Sequence, residues 1–139
     1  MQKKIIYSLL ASLLFIFASC TLETSGNADF DGAWHLVRVN DSIPEQTNIY
    51  WNVQGKMLLL QDKDYENNYY ILRFERDNNK LQLSSPHVAF DYQDVPLEDL
   101  TQLVLFGIDD ISAPFTIEHL DGSRMTLKSA TKKLEFRQF

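Results

Sequence analysis

Ile49-Tyr50-Trp51-Asn52-Val53-Gln54-Gly55-Lys56-Met57-Leu58-Leu59-Leu60-Gln61 decides the fold. Before the glycine, Ile49, Trp51 and Val53 alternate with Tyr50, Asn52 and Gln54, the period of a strand with one buried face. A two-residue loop at Gly55-Lys56 sets Trp51 opposite Leu60 and Val53 opposite Leu58, so the apolar faces of two strands coincide. Glycine in first place suits a type II′ turn. The same test at Asn78-Asn79 pairs Phe74 with Leu83 and Asp77 with Lys80, and asparagine tolerates the positive φ of a type I′ turn. A two-residue turn at Asp121-Gly122 fails the test, because it sets Ile117 against Thr126. A three-residue loop, Leu120-Asp121-Gly122 with a left-handed glycine, instead pairs Ile117 with Met125 and Phe115 with Leu127.

Outward from these hairpins the chain reads as short strands and turns, with no long apolar period of 3.6 residues. Candidate strands are Ala33–Val39, Ile49–Gln54, Met57–Gln61, Tyr69–Arg76, Leu81–Ser84, Val88–Tyr92, Gln102–Gly107, Phe115–His119, Arg124–Lys128 and Leu134–Phe139. Pro86 lies between two of them and reads as a strand break or bulge. One brief helical turn is expected at Pro96–Leu100, with proline in the first helical position and acids behind it. The fold class is therefore all-β. A meander of about 8–10 antiparallel strands closes most simply into a single up-and-down barrel, and a two-sheet sandwich is the alternative.

The N-terminus gives an address. Met1-Gln2-Lys3-Lys4 is a basic head, Ile5 to Ala18 is uncharged, and Phe17-Ala18-Ser19-Cys20 ends at the only cysteine of the chain. That is the layout of a secretory signal, too short to cross a bilayer of roughly 30 Å as a helix. Small residues followed by a lone cysteine resemble a bacterial lipobox, with Phe17 where leucine is usual. The resemblance implies cleavage after residue 19 and palmitate-type acylation of Cys20 and of the new N-terminus. Residues 1–19 are then a lipoprotein signal peptide and residues 20–29 a polar, flexible tether. Thr21 stands where an aspartate would signal inner-membrane retention, so the outer membrane is favoured, with periplasmic and surface-exposed leaflets both open.

The whole chain carries 13 basic and 19 acidic residues, a net charge of −6. Loss of Lys3 and Lys4 with the signal leaves −8 on the mature protein. This balance argues against nucleic acid as a partner and against an electrostatic grip on anionic lipid. The membrane tie is then the lipid on Cys20, and stable anchoring takes two or more acyl chains. With that cysteine acylated no disulfide can form, so packing and hydrogen bonds must hold a domain of about 110 residues together.

No catalytic signature emerges, and a non-enzymatic protein without cofactor or metal is expected. His35, His87 and His119 show no metal-ligand spacing. Glu118 and His119 are neighbours and point to opposite faces of a strand. The pairs Glu98-Asp99 and Asp109-Asp110 read as solvated turns, and Ser84-Ser85-Pro86-His87 lacks the glycines of a nucleophile elbow. The remaining chemistry is aromatic: Trp51, Tyr70, Phe74, Phe90, Tyr92 and Phe115 are the candidate ligand-binding residues. Together with Phe106 they are rich enough to line an apolar cavity, and equally able to fill a small barrel solid.

Phe30-Asp31-Gly32-Ala33-Trp34 resembles the Gly-x-Trp start of lipocalins, in which the tryptophan plugs the closed end of the barrel. In that superfamily a basic residue of the last strand lies across this tryptophan. Leu134-Glu135-Phe136-Arg137-Gln138-Phe139 offers Arg137 for the role, so Gly32, Trp34 and Arg137 form the structural signature. A lipobox, an early Gly-x-Trp and a basic final strand together resemble the lipocalin-like lipoproteins of Bacteroidetes. The resemblance implies a lipocalin-like, calycin-type barrel over residues 30–139. It also implies a lipid-anchored envelope protein, and the function expected of such a barrel is to bind a small apolar or amphipathic ligand in its mouth. The alternative is a solid-core interaction module or accessory subunit that contacts an envelope protein partner.

Overall fold

The computed structural model describes residues 29–65, 69–90 and 93–139, with the side chains of Phe90 and Gln93 outside the description. The signal, Cys20 and nearly all of the tether lie outside these residues, as does Tyr92. Nine strands follow in order: β1 Gly32–Val39, β2 Ile49–Gln54, β3 Met57–Asp62, β4 Tyr69–Asp77, β5 Lys80–Phe90, β6 Gln93–Pro96, β7 Phe115–Leu120, β8 Arg124–Lys128 and β9 Lys133–Gln138. A 3-10 helix, Leu100–Phe106, stands between β6 and β7.

All the pairings are antiparallel, and β1-β2-β3-β4-β5-β7-β8-β9 close on themselves through β1 against β9. The result is an eight-stranded, lipocalin-like barrel. The short strand β6 hangs on the far half of β5. On this edge β5 joins β7 only through Lys80 and Leu81 before it turns to β6.

The first two hairpins have the register that side-chain alternation demands. Trp51 faces Leu60 and Val53 faces Leu58 around Gly55, which has φ +62°. Phe74 faces Leu83 and Asp77 faces Lys80. At that second turn only Asn78 takes positive φ, 53°, so the double left-handed pattern of a type I′ turn does not form. Leu81 to Phe90 is one strand rather than two. Ser85, at φ +51°, and Pro86 together oppose Leu72 alone, a bulge that absorbs the proline without ending the strand.

The third hairpin departs from expectation. A bulge at Glu118 shifts the register, so Ile117 faces Leu127 and Leu120 faces Met125. The loop is Asp121-Gly122-Ser123, and Gly122 is not left-handed. The Asp121 carboxylate shapes this loop instead, accepting from the backbone N–H groups of Ser123 (2.7 Å) and Arg124 (2.8 Å).

The larger correction concerns residues 96–107. Pro96 ends β6 and begins no helix, while the expected strand Gln102–Gly107 is the body of the 3-10 helix. Leu100, Leu103 and Phe106 recur every three residues, which aligns them on one face of a three-residue turn. Leu103 and Phe106 are buried. Asp99 caps the start by accepting from Thr101 N at 3.0 Å. Gly107 ends the helix at φ +85°, and its N–H returns to Val104 O at 2.9 Å.

The barrel interior is one apolar cluster drawn from alternate positions of every barrel strand: Trp34, Trp51, Leu60, Leu72, Leu83, Phe115, Leu127 and Phe136 among others. Trp51 stands at its centre, with ring centroids 5.0 Å from Phe136 and 5.9 Å from Phe115. The indole Nε1 donates to Phe106 O at 3.0 Å. That carbonyl belongs to the last turn of the helix, where no intrahelical donor is available. One side chain therefore packs the core and fastens the helix to it.

Candidate functional site

Strand direction gives the barrel two unlike ends. The three short loops of the hairpins cluster at one end with the start of β1 and the end of β9. Trp34 seals this end. It is fully buried, and its Nε1 donates to Phe30 O at 2.8 Å. Phe30 meets Phe74 edge-on at 5.2 Å. Gly32 lies in β1 at φ +129°, where a Cβ would strike Gln138 Nε2. The positive φ, more than the mobile tip of Gln138, is what calls for glycine two residues before the tryptophan.

Arg137 does not lie across Trp34. Its neighbours Leu134 and Phe136 fill the inward positions of β9, so Arg137 projects outward, opposite His35 of β1 and Arg124 of β8. There it borders a hollow of about 210 Å³ on the outer wall, with Arg38, Arg124 and Glu135. The cation–ring contacts among the described residues belong to Lys63, whose Nζ is 3.8 Å from the Tyr50 centroid and 4.3 Å from that of Phe139.

The opposite end carries the longer connections, and they enclose a half-open pocket of about 150 Å³. Its lining comes from three places: Gln46 between β1 and β2, Asp62 and Tyr65 at the end of β3, and Gln102, Leu105 and Phe106 on the helix, with Tyr70 of β4 between them. Tyr70 donates its hydroxyl to Gln102 Oε1 at 2.9 Å, and its ring meets Phe106 at 5.6 Å. Burial pushes the Tyr70 phenol up from its ordinary value, so it remains a neutral donor. Tyr65 and Leu105 expose apolar surface at the rim.

Of the six aromatics expected to bind ligand, Tyr70 is the one that reaches this pocket. Trp51 and Phe115 are packed in the barrel centre. Phe74 lies near the closed end, beside an open depression with Lys56, Glu75 and Arg76. Tyr92 and the Phe90 side chain are outside the described residues. Gln46, Asp62, Tyr65, Gln102 and Leu105 were not anticipated, whereas Phe106 was among the aromatics expected to line a cavity. For Asp62 the signal exists in the sequence, because Leu58, Leu60 and Asp62 share the inward face of β3 by alternation.

The histidines serve local structure. His35 Nε2 is 2.6 Å from Thr47 O and its ring stacks on Tyr50. His87 Nδ1 is 2.7 Å from Ser85 O, and His119 Nε2 is 2.7 Å from Asp121 Oδ2. The acid pairs act as turn fasteners. Asp109 accepts from Thr131 Oγ1 at 2.8 Å and meets Lys132 Nζ at 3.0 Å, and Asp110 accepts from Ser112 N. Among the described residues no three of His, Cys, Asp and Glu gather as a metal site would require.

A closed eight-stranded meander with a tryptophan floor and a helix beside its mouth defines a barrel of the lipocalin class. The profile of the lipocalin-like domain family matches residues 14–139, and the chain belongs to that family. Two solved structures share the fold. One is a lipocalin-like protein from Bacteroides uniformis, 18% identical, with a TM-score of 0.57 over 80% of this chain and 99% of that one. The other is an uncharacterized protein from Bacteroides eggerthii, 15% identical, with a TM-score of 0.58 over 80% of this chain and 100% of that one. No curated protein matches the sequence.

Proposed function

We propose that this protein binds a small amphipathic molecule at the barrel mouth and is held on the cell envelope by lipid on Cys20. The observation that carries the reading is the mouth pocket itself. It combines convergent polar groups (Asp62, Gln46, Gln102 and the Tyr70 hydroxyl) with apolar walls from Phe106, Leu105 and Tyr65, the lining of a ligand site in about half the volume of the smallest usual one, so only a small ligand or part of one fits. The filled centre around Trp51 keeps such a ligand near the rim, so its apolar part rests against the exposed surface of Tyr65 and Leu105.

The anchor and the mouth fit one another. The chain enters the barrel at the closed end, where Asp29 pairs with Arg76 at 3.0 Å. Nine residue steps separate Cys20 from Asp29, a reach of roughly 30 Å when extended. A lipid on Cys20 would then tether the barrel by its closed end, and the mouth stays free for a ligand.

Titration with an environment-sensitive apolar dye tests the binding reading. Saturable uptake by the wild type, abolished in Leu105→Asp without loss of melting temperature, supports it. No uptake by the wild type overturns it and favours an interaction module. That second reading draws on the packed centre and on the exposed Tyr65, Val104 and Leu105, an apolar surface that a partner protein would cover.

A further inference from the structure

Asp62 is the one charged side chain buried among the described residues, at 5% exposure. Leu58 and Leu60 precede it on the inward face of β3, so the strand carries the carboxylate to the top of the barrel and into the pocket lining. Oδ1 accepts from Asp64 N at 3.0 Å, a local turn bond. Oδ2 is buried and has no hydrogen-bond partner. A buried polar atom left unpaired is costly and rare in native proteins, and a charged one more so.

Among the described residues the surroundings supply no counter-ion to this carboxyl group. Lys63 follows Asp62 directly, yet its ammonium sits over the rings of Tyr50 and Phe139, away from the pocket. None of the cations in the ion pairs among the described residues pairs with Asp62. Asp64, the nearest other carboxylate in sequence, is occupied by Asn48 Nδ2 at 2.7 Å. Tyr65, Tyr70 and Phe106 are among the residues that line the pocket, and aromatic rings can attract a cation. The net charge of −6 favours approach of a positive ligand.

From this arrangement we infer that the mouth pocket is a site for a small primary ammonium compound, with Asp62 as its counter-ion. The inference rests on the small-molecule reading above and specifies its chemistry. Oδ2 is an acceptor that lacks a donor, and a primary ammonium brings three N–H donors, whereas a quaternary one brings none. A half-open pocket of about 150 Å³ holds about one six-membered ring, so the ligand is an amine with a compact apolar portion. A longer tail leaves through the open side, past Leu105 and Tyr65.

Three probes of one shape test it on the full-chain protein: phenethylammonium, 2-phenylethanol and phenylacetate, followed by calorimetry and by NMR shifts of the pocket residues. Phenethylammonium is expected to bind saturably, at least tenfold tighter than the alcohol, with phenylacetate weakest. Asp62→Asn retains an oxygen for Asp64 N, so the turn survives. It should erase the tenfold preference and leave the alcohol unchanged. Should that variant fail to fold, the charge series on the wild type decides alone. Equal binding of ammonium and alcohol, or a preference for phenylacetate, overturns the ammonium assignment while the small-molecule reading stands. Failure of all three probes to shift the pocket residues overturns both.

Discussion

Trp51→Phe isolates the bond that fastens the helix to the barrel. Trp51 is fully buried, and its Nε1 donates to Phe106 O at 3.0 Å. Phenylalanine keeps an aromatic ring against Phe115 and Phe136 but has no donor. The Phe106 carbonyl then stays buried without a partner, at a cost of about 1–3 kcal/mol. The missing part of the indole leaves a small void, adding about 1 kcal/mol. The sum is roughly 2–4 kcal/mol, or on the order of 10–20 °C in melting temperature for a domain of this size. The decisive assay is amide hydrogen exchange. The helix has lost its fastening, so amides within Leu100–Phe106 should exchange faster by more than those of β2 and β3, which report global stability. Denaturant unfolding supplies the global value. A loss below about 0.5 kcal/mol, or uniform acceleration of exchange across helix and strands, would refute the claim that this bond holds the helix.

Further predictions concern the two ends and the anchor. Gly107→Ala should destabilise by about 2–4 kcal/mol in chemical unfolding, because φ is +85° and the new Cβ would come within 2.5 Å of Leu134 Cδ2. Trp34→Ala should cost about 3–5 kcal/mol at the closed end. Arg137→Ala should stay within about 0.5 kcal/mol, with additive effects in the double variant. Coupling between them would contradict the outward placement of Arg137. The Asp121 carboxyl is held well below the usual carboxylate range by the N–H groups of Ser123 and Arg124 and by His119. Its contribution to the β7–β8 hairpin is therefore complete above the unfolded value near 3.9 and is lost only as pH falls through the lower folded value. A side-chain carboxyl titration by NMR with a midpoint at or above 3.9 would refute this. Cys20→Ala should release the protein from the membrane fraction, and pelleting that persists at high salt would refute the covalent anchor.

Much of the barrel was legible because two periodicities agreed. In the first two hairpins the turn residues and the alternation of Trp51, Val53, Phe74 and Leu83 permit a single register. Where a bulge intervenes, that logic slips by one residue. Glu118 shifts β7 against β8, and nothing in its chemistry announces the bulge. The helix was misread because Gln102-Leu103-Val104-Leu105-Phe106 is apolar enough for a strand. Asp99 before it and Gly107 after it, with Leu100, Leu103 and Phe106 three apart, form the competing pattern, and capping prevailed. The lipocalin resemblance offered Arg137 as the basic residue of the last strand, although the parity of Leu134 and Phe136 already turns it outward. The mouth pocket was least legible. Its residues come from three separate connections, and its walls form only when the helix folds down beside β4. Aromatic content pointed to Tyr70 and Phe106, which line the pocket, but equally to Trp51 and Phe115, which the barrel uses for packing.

The central claim is that a small molecule binds at the mouth, between the helix and the end of β3. Its most direct test is an amide-resolved NMR titration of the wild-type protein with phenethylammonium. The account predicts saturable shifts at Gln46, Asp62, Tyr65, Tyr70, Gln102 and Leu105, with the closed end around Gly32 and Trp34 unmoved. Shifts that fail to saturate, or that fall on the outer wall around Arg38, Arg124 and Arg137, would contradict it.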